Sequence, residues 1–584
     1  MRRIQAALRS MFDVRKGEYL RAFLMALYLL LVLFAYYIIK PVSRALFLNS
    51  FDIDKLPYLY ILIAGAGGLL AYLYTKIAVR SSLKTAVSCA TVFFTVSLVI
   101  IWWLLGRQLP WMIYVFNVFV SLFSITLVSQ GWLVAANVFT TREAKRLYSI
   151  VGVGSVLGAA FGGKFTSEVV FYVGTRNLLL ASAAMVLLSY AAFLVLANLK
   201  QVSLAGAKAA EAEETFAFKD ITSAIGRYRH LQVIIAIICI TYIVDVMVEF
   251  QFNAMAKAAY QGDDLTAFLG DFYGLWLNLI TFVLQFFLTT AVVTRFGVGG
   301  ALQIMPVAIS VASVAAFLAP GVLSTGAARL TEAATRYSFN RTGMELLYLP
   351  LPSDLKNRTK AFVDIFADRM SRGLGGVFLI LLTGVGALEV REISLVIIGF
   401  AVVWIILSIR AKQEYVSTVR KRLESRRLDL DSLRLNVNEP GTVRLLEETA
   451  ESPISRQATY ALSLLEDVPN YPMEALLTKL VESPHSEVRG KVYGIAKTRG
   501  FPDLYEKALT EIRSPGFGAD VPVVNPAVEY ALAVSSETAE LAGSLLDHSS
   551  ALVAQSALTS LVAHQEVAQK LITQVWISEA ARSP

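Results

Sequence analysis

Long apolar runs decide what the first 412 residues of this 584-residue chain can fold into. A helix needs about 20 predominantly apolar residues to cross the roughly 30 Å hydrocarbon core of a bilayer. Twelve stretches qualify, at 21–39, 57–79, 82–105, 109–138, 147–170, 176–198, 231–255, 270–292, 299–319, 321–348, 361–386 and 391–412. The composition agrees: 56% hydrophobic residues, 17% charged residues and a mean hydropathy of +0.58, against about 45–50% apolar and 25% charged in soluble domains. A soluble enzyme is thereby excluded as a description of the whole chain.

The first stretch follows Arg15, Lys16 and Arg21, lacks a small-residue cleavage site and runs into Lys40-Pro41, so it reads as a retained span rather than a signal peptide. Basic residues cluster before it and again at Arg410, Lys412, Arg420, Lys421 and Arg422. Under the positive-inside rule both termini are expected in the cytoplasm, with the chain a multi-pass protein of the inner (cytoplasmic) membrane. A polar segment separates six spans from six more, the arrangement of the major facilitator architecture, in which two halves rock about a midplane site. The expected organisation is a cytoplasmic N-terminal segment at 1–20, six-helix halves at 21–198 and 231–412 joined by a linker at 199–230, a basic helical stalk at 413–440 and a soluble domain at 441–584.

Charges inside the spans carry the functional signal, because an ionisable group at mid-membrane costs about 2.5–3.5 kcal/mol on insertion scales and marks a path, a gate or an internal pair. Asp245, Glu249, Asn253 and Lys257 follow one another at four-residue steps and share one helix face. The tenth span holds Arg329, Glu332, Arg336, Asn340, Arg341 and Glu345, with Arg329–Glu332 and Arg341–Glu345 as expected intrahelical pairs. The eleventh holds Lys360, Asp364, Asp368, Arg369 and Arg372. The plain packing reading is that these groups pair between helices and lock the bundle. The functional reading is a cavity in which Lys40, Arg44, Lys257, Arg336 and Arg341 attract an anionic solute, since guanidinium offers forked donors to carboxylate or phosphate. Proton coupling through Asp245 or Glu249 is a further option.

Other features are structural on this reading. Gly152-Val-Gly-Ser-Val-Leu-Gly158 with Gly162-Gly163 lacks the preceding strand and the Gly-Lys-Ser/Thr of a phosphate loop, and fits close helix packing. Trp102 and Trp103 read as interfacial anchors, and Cys89 and Cys239, both in apolar runs, as buried small hydrophobes. No nucleophile–base pair, metal motif or cofactor signature stands out, so neither enzymatic activity nor a cofactor is expected.

Three segments resemble the bacterial and plastid ATP/ADP translocase family of nucleotide carriers: Glu143-Ala-Lys-Arg-Leu-Tyr-Ser-Ile-Val-Gly-Val-Gly154; Tyr337-Ser-Phe with Glu345-Leu-Leu-Tyr-Leu-Pro-Leu351, Lys360-Ala-Phe-Val-Asp364 and Arg372-Gly-Leu-Gly-Gly376; and Val248-Glu249. The resemblance covers about residues 20–412 and implies a twelve-helix carrier related to the major facilitator fold, exchanging ATP, ADP or other nucleotides. Glu143, Glu249, Glu345, Lys360 and Asp364 match family positions. Where those carriers have a basic-x-x-basic-acidic run, this chain has Lys40-Pro-Val-Ser43-Arg44; Asn253 and Met344 stand where the family has Lys. Another anion, or an amphiphile with an anionic head, therefore stands beside a nucleotide as expected substrate.

Up to Lys412 there are 36 basic and 22 acidic residues; beyond it there are 17 and 23. The tail is thus acidic, which argues against nucleic acid as a partner. Ser452-Pro-Ile-Ser-Arg456 and His485-Ser-Glu-Val-Arg489 superimpose, and Ser549–Ala557 forms a weaker third copy. They resemble HEAT repeats, which predicts a cytoplasmic α-solenoid with a surface for a protein partner. The fold class expected overall is all-α, a two-half transmembrane bundle in contact with lipid plus this solenoid. The alternative function is a membrane scaffold or sensor that signals through the repeats.

Overall fold

The computed structural model describes residues 15, 18–78, 82–199, 225–226, 228–351, 355–356, 359–360, 367–424, 440–563 and 569, apart from positions 469, 470, 515 and 536. The described chain is helical and divides into two compact units, Met1–Glu414 and Tyr415–Pro584. Most of the linker at 199–230, the end of the stalk at 425–439 and Asp364 lie outside the described residues.

In the first unit the helices are α1 (Tyr19–Ser50), α2 (Leu56–Ala78), α3 (Leu83–Leu105), α4 (Pro110–Phe123), α5 (Ser129–Val138), α6 (Thr141–Val173), α7 (Leu178–Ala197) and α8 (Arg229–Ala259). They continue as α9 (Gly262–Gly270), α10 (Leu277–Val283), α11 (Thr289–Leu318), α12 (Val322–Thr335), α13 (Arg341–Leu347), α14 (Asp368–Ile380) and α15 (Ile393–Glu424). Eight helices among the described residues are long and apolar enough to cross a membrane; one of them, Gly262–Leu318, takes in two expected spans. Its backbone breaks at Gly297, where φ is +67°, a left-handed geometry that glycine adopts without steric cost.

Local chemistry sets the ends. Thr140 and Glu143 form a capping box at the start of α6, each bonding the other's backbone N–H. Pro110 opens α4, where its missing N–H is no loss. The glycine run proves to be a packing surface: a Cβ at Gly154, Gly158 or Gly162 would come within 2.7, 2.2 and 2.5 Å of the carbonyl oxygens of Ala26, Leu30 and Phe34 on α1. Absence of a side chain lets α6 lie directly on the backbone of α1. Trp102 donates to Asn177 at 2.8 Å and Trp103 is half exposed, as befits the end of a span. One expectation fails: Cys89 on α3 is exposed and Cys239 is only half-buried, because an apolar run does not tell lipid-facing from buried positions.

The second unit contains α16 (Pro440–Ala450), α17 (Ser455–Glu466), α18 (Glu474–Leu480), α19 (Ser486–Arg499), α20 (Tyr505–Ile512), α21 (Val521–Val534), α22 (Thr538–Leu546) and α23 (Ala551–Ala563). Helices α17, α19, α21 and α23 pack each on the next, while α16, α18 and α20 pack on α17, α19 and α21 respectively, and α22 packs on both α21 and α23. Arg489 ties α19 to Glu511 at 2.7 Å and to Asp520 at 3.0 Å, whereas its sequence counterpart Arg456 is exposed. Tyr493 donates to Glu511 at 2.7 Å and Tyr530 to the Phe501 carbonyl at 2.7 Å.

Candidate functional site

Pieces of the two sequence halves face each other across a cavity of about 280 Å³. From the first half, α1 contributes Tyr36, Lys40 and Arg44, α4 contributes Ser121, and the π-helical turn Ser124–Val128 contributes Ser124. From the second, α8 contributes Glu249, the π-helical turn Asp271–Trp276 contributes Tyr273, α12 and the π-helical turn Arg336–Asn340 contribute Arg329, Arg336 and Tyr337, and α14 contributes Asp368, Arg369 and Arg372. A π turn inserts an extra residue into the helical ladder and is frequent at functional sites. Here three such turns deliver cavity residues. They re-aim side chains in mid-helix, where an unbroken α-helix would keep its strict register.

Among the described residues, six cationic side chains and two carboxylates line this space. Behind the wall, Asp245 and Glu332 are fully buried. Asp245 Oδ1 accepts from Arg329 Nη1 at 2.5 Å and lies 3.2 Å from Arg336 Nη2, and its other oxygen accepts from Arg372. Glu332 pairs with Arg329 at 2.6 Å and Arg336 at 2.8 Å. Arg372 also bonds Asp368 at 2.8 Å. A buried charge is tolerated when opposite charge and hydrogen bonds surround it; Asp245 meets both conditions, while Glu332 Oε1 is matched by the Arg336 charge without a hydrogen bond. Even with them counted, cations outnumber anions by two.

Glu249 joins the lattice to the first half. Arg44 donates to its Oε1 at 2.7 Å and Arg329 to its Oε2 at 3.2 Å. Lys40 has no carboxylate partner among the described residues. Its Nζ lies 4.7 Å from the ring centre of Tyr273, 5.2 Å from Tyr37 and 5.8 Å from Tyr36, so aromatic faces help offset its charge.

A second cavity of about 240 Å³ shares Arg336, Tyr337 and Asp368 with the first and extends past Asn340, Arg341 and Tyr348 to Glu345 and Lys360. Lys360 donates to both oxygens of Glu345, at 2.6 and 2.8 Å. The expected Arg341–Glu345 pair is therefore not formed, while the Arg329–Glu332 pair is. At the opposite end the halves are bonded together: Lys257 to the Phe51 carbonyl at 2.6 Å, Asn49 with Gly262, Thr175 to Asp263 at 2.6 Å and Ser167 to Asp271 at 2.7 Å.

Of the residues singled out in the sequence, Lys40, Arg44, Glu249, Arg336 and Asp368 meet in the first cavity, and Asn340, Arg341, Glu345 and Lys360 line the second. Asp245 and Asn253 stand behind the wall; Asn253 donates to the Glu249 carbonyl at 2.8 Å. Lys257 belongs to the bonded end. Glu143 is spent on its capping box and on Arg21 at 2.8 Å, away from either cavity. Arg329, Glu332, Arg369 and Arg372 join the site although only their charge drew notice. Tyr36 and Tyr273 were missed, and Tyr337 drew notice only within the family-like segment; yet Tyr36 and Tyr37 precede Lys40 by four and three residues and so share its helix face.

The helical bundle around this charged cavity is similar in fold to solved membrane transporters. The nucleoside transporter NupG is 12% identical, with a TM-score of 0.50 over 67% of this chain and 99% of that one. A bacterial homologue of the human lysosomal transporter Spinster, in an inward-facing and unoccupied conformation, is 14% identical, with a TM-score of 0.49 over 69% and 99%. Residues 90–333 match the model of the TLC ATP/ADP transporter family. Glu143, Asp245, Glu249, Arg329 and Glu332 fall within the matched stretch; Lys40, Arg44, Arg336 and Arg372 lie outside it. A search of the curated proteins finds no match.

Proposed function

We propose that the chain is a secondary transporter of ATP/ADP-type nucleotides, working by alternating access in a cell's inner membrane, with twelve spans in two six-helix halves and both termini cytoplasmic. The observation that carries this reading is the central cavity itself, built by both halves, with six cations against two lining carboxylates. Positive charge in a low-dielectric cleft attracts a polyanion far more strongly than the same charge in water. The family match over residues 90–333 and the nucleoside transported by NupG support the choice of solute.

Alternating access is supported by the asymmetry of the ends. The halves are hydrogen-bonded at the Lys257–Phe51 end, while the second cavity continues toward Glu345 and Lys360. On the charge rule that second end faces the cytoplasm. No hydrolytic step belongs to this reading. The helix pairs of the second unit are read as HEAT-like repeats with a surface for a protein partner.

Thermal unfolding of the purified protein with a panel of nucleotides, organic phosphates and lipids tests the solute. A ligand at 100 times its Kd stabilises by about 2.7 kcal/mol, so ATP and ADP are expected to raise the unfolding temperature at millimolar concentration. A response to lipids alone contradicts the nucleotide assignment.

A further inference from the structure

The two cavities differ in chemistry as well as position. At about 240 and 280 Å³ each falls short of the roughly 300 Å³ where small-molecule sites begin. They share a wall at Arg336, Tyr337 and Asp368, so an occupant of ordinary size extends through both. The first is lined by cations. In the second, Lys360 is neutralised by Glu345, and Arg336 and Arg341 stand beside ring and aliphatic surface from Tyr242, Tyr337, Ile238 and Met344.

Two details in the second cavity point to a ligand. Asn340 is only 6% exposed, and its Oδ1 has no hydrogen-bond partner among the described residues. A buried carbonyl left unpaired is destabilising, and such groups are rare unless something else supplies the donor. Tyr337 is 43% exposed although it sits in mid-helix between the cavities, with the Arg336 guanidinium 4.6 Å from its ring centre. An open aromatic face there is a platform for a flat ring. Base-on-aromatic stacking tolerates any base, because every base has a π face.

Building on the nucleotide reading, we infer that the two cavities form one bipartite site. The phosphates lie among Lys40, Arg44 and Arg329, and the base lies against Tyr337 and donates an N–H to Asn340 Oδ1. Tyr337 and Asn340 are then the residues that tell a nucleotide from a bare polyphosphate.

Equilibrium binding of ADP and of inorganic tripolyphosphate to detergent-purified full-length protein tests this. Wild type is expected to bind both. Tyr337→Ala and Asn340→Ala are expected to weaken ADP about tenfold, in keeping with the loss of one stacked base or one specific hydrogen bond, and to leave tripolyphosphate within about twofold. Tyr337→Phe keeps the ring and is expected to bind ADP as wild type does, which separates a lost platform from a misfolded helix. Equal loss of both probes in the alanine variants, or loss of neither, overturns the bipartite site. Wild-type protein that binds neither probe overturns the nucleotide reading itself and the bipartite site with it.

Discussion

Arg44 Nη2 on α1 and Glu249 Oε1 on α8 are 2.7 Å apart, although 205 residues separate them in sequence. The other oxygen of Glu249 holds Arg329 at 3.2 Å, so one carboxylate spans the seam between the halves. A solute phosphate offers the same forked acceptor to the same guanidiniums. Glu249→Gln removes that exchangeable charge, and the initial transport rate is expected to fall at least about tenfold, equivalent to about 1.4 kcal/mol. Folded protein in the membrane at wild-type level, measured alongside, shows that the loss is functional.

Asp245 differs from Glu249 because it never meets solvent and three arginines converge on it. Removing one partner from a buried ionic cluster costs about 3–5 kcal/mol, since the remaining charges are left uncompensated. Asp245→Asn is therefore expected to lower the unfolding temperature sharply in detergent, whereas Lys257→Gln, at the bonded end, is expected to have a smaller effect. Equal stability of the two variants contradicts a framework role for Asp245.

At the seam between α6 and the Asp271–Trp276 turn, a Cβ on Gly163 would lie 2.4 Å from both the Gly270 carbonyl oxygen and Gly274 Cα. Nothing there is a flexible side chain that can move aside. Overpacking of this kind costs about 1–3 kcal/mol, so Gly163→Ala is expected to destabilise by that amount. Gly65→Ala, which meets nothing within 4 Å, is expected to stay within about 0.5 kcal/mol of wild type. Chemical or thermal unfolding of the two variants decides it.

The all-helical build and the apolar helices long enough to cross a membrane were legible in the sequence because hydropathy and length act locally, residue by residue. The cavity was legible only through charge. Lys40, Arg44, Glu249 and Arg336 stood out against an apolar background, whereas Tyr36, Tyr273 and Tyr337 did not, since a tyrosine in a span reads equally as filler, anchor or lining. The pairing of Glu345 was misread because Arg341 is its neighbour at i−4, while Lys360 reaches it from beyond the end of α13 and takes both oxygens. Glu143 resembled a site residue through its family motif, yet its carboxylate caps a helix. Partner choice of this kind depends on tertiary geometry, as do the three π turns that aim the cavity residues.

The second unit has its own pH response. Burial, the largest influence, pushes the Tyr530 phenol up to about 12. A raised value means that its stabilising contribution is complete below the ordinary tyrosine value of about 10 and is lost as pH rises through about 12. Hydrogen-exchange protection of α21 in the full-length chain is expected to fall across that window, and Tyr530→Phe, which cannot ionise, is expected to fall less steeply.

The central claim is that the cavity between the halves carries nucleotide. Its most direct measure is uptake of labelled ATP by proteoliposomes loaded with unlabelled ADP, compared with empty vesicles and with Glu249→Gln. Uptake that depends on internal ADP and disappears in the variant is the expected result. No uptake by correctly folded wild-type protein, or equal uptake by the variant, would contradict the role assigned to the cavity.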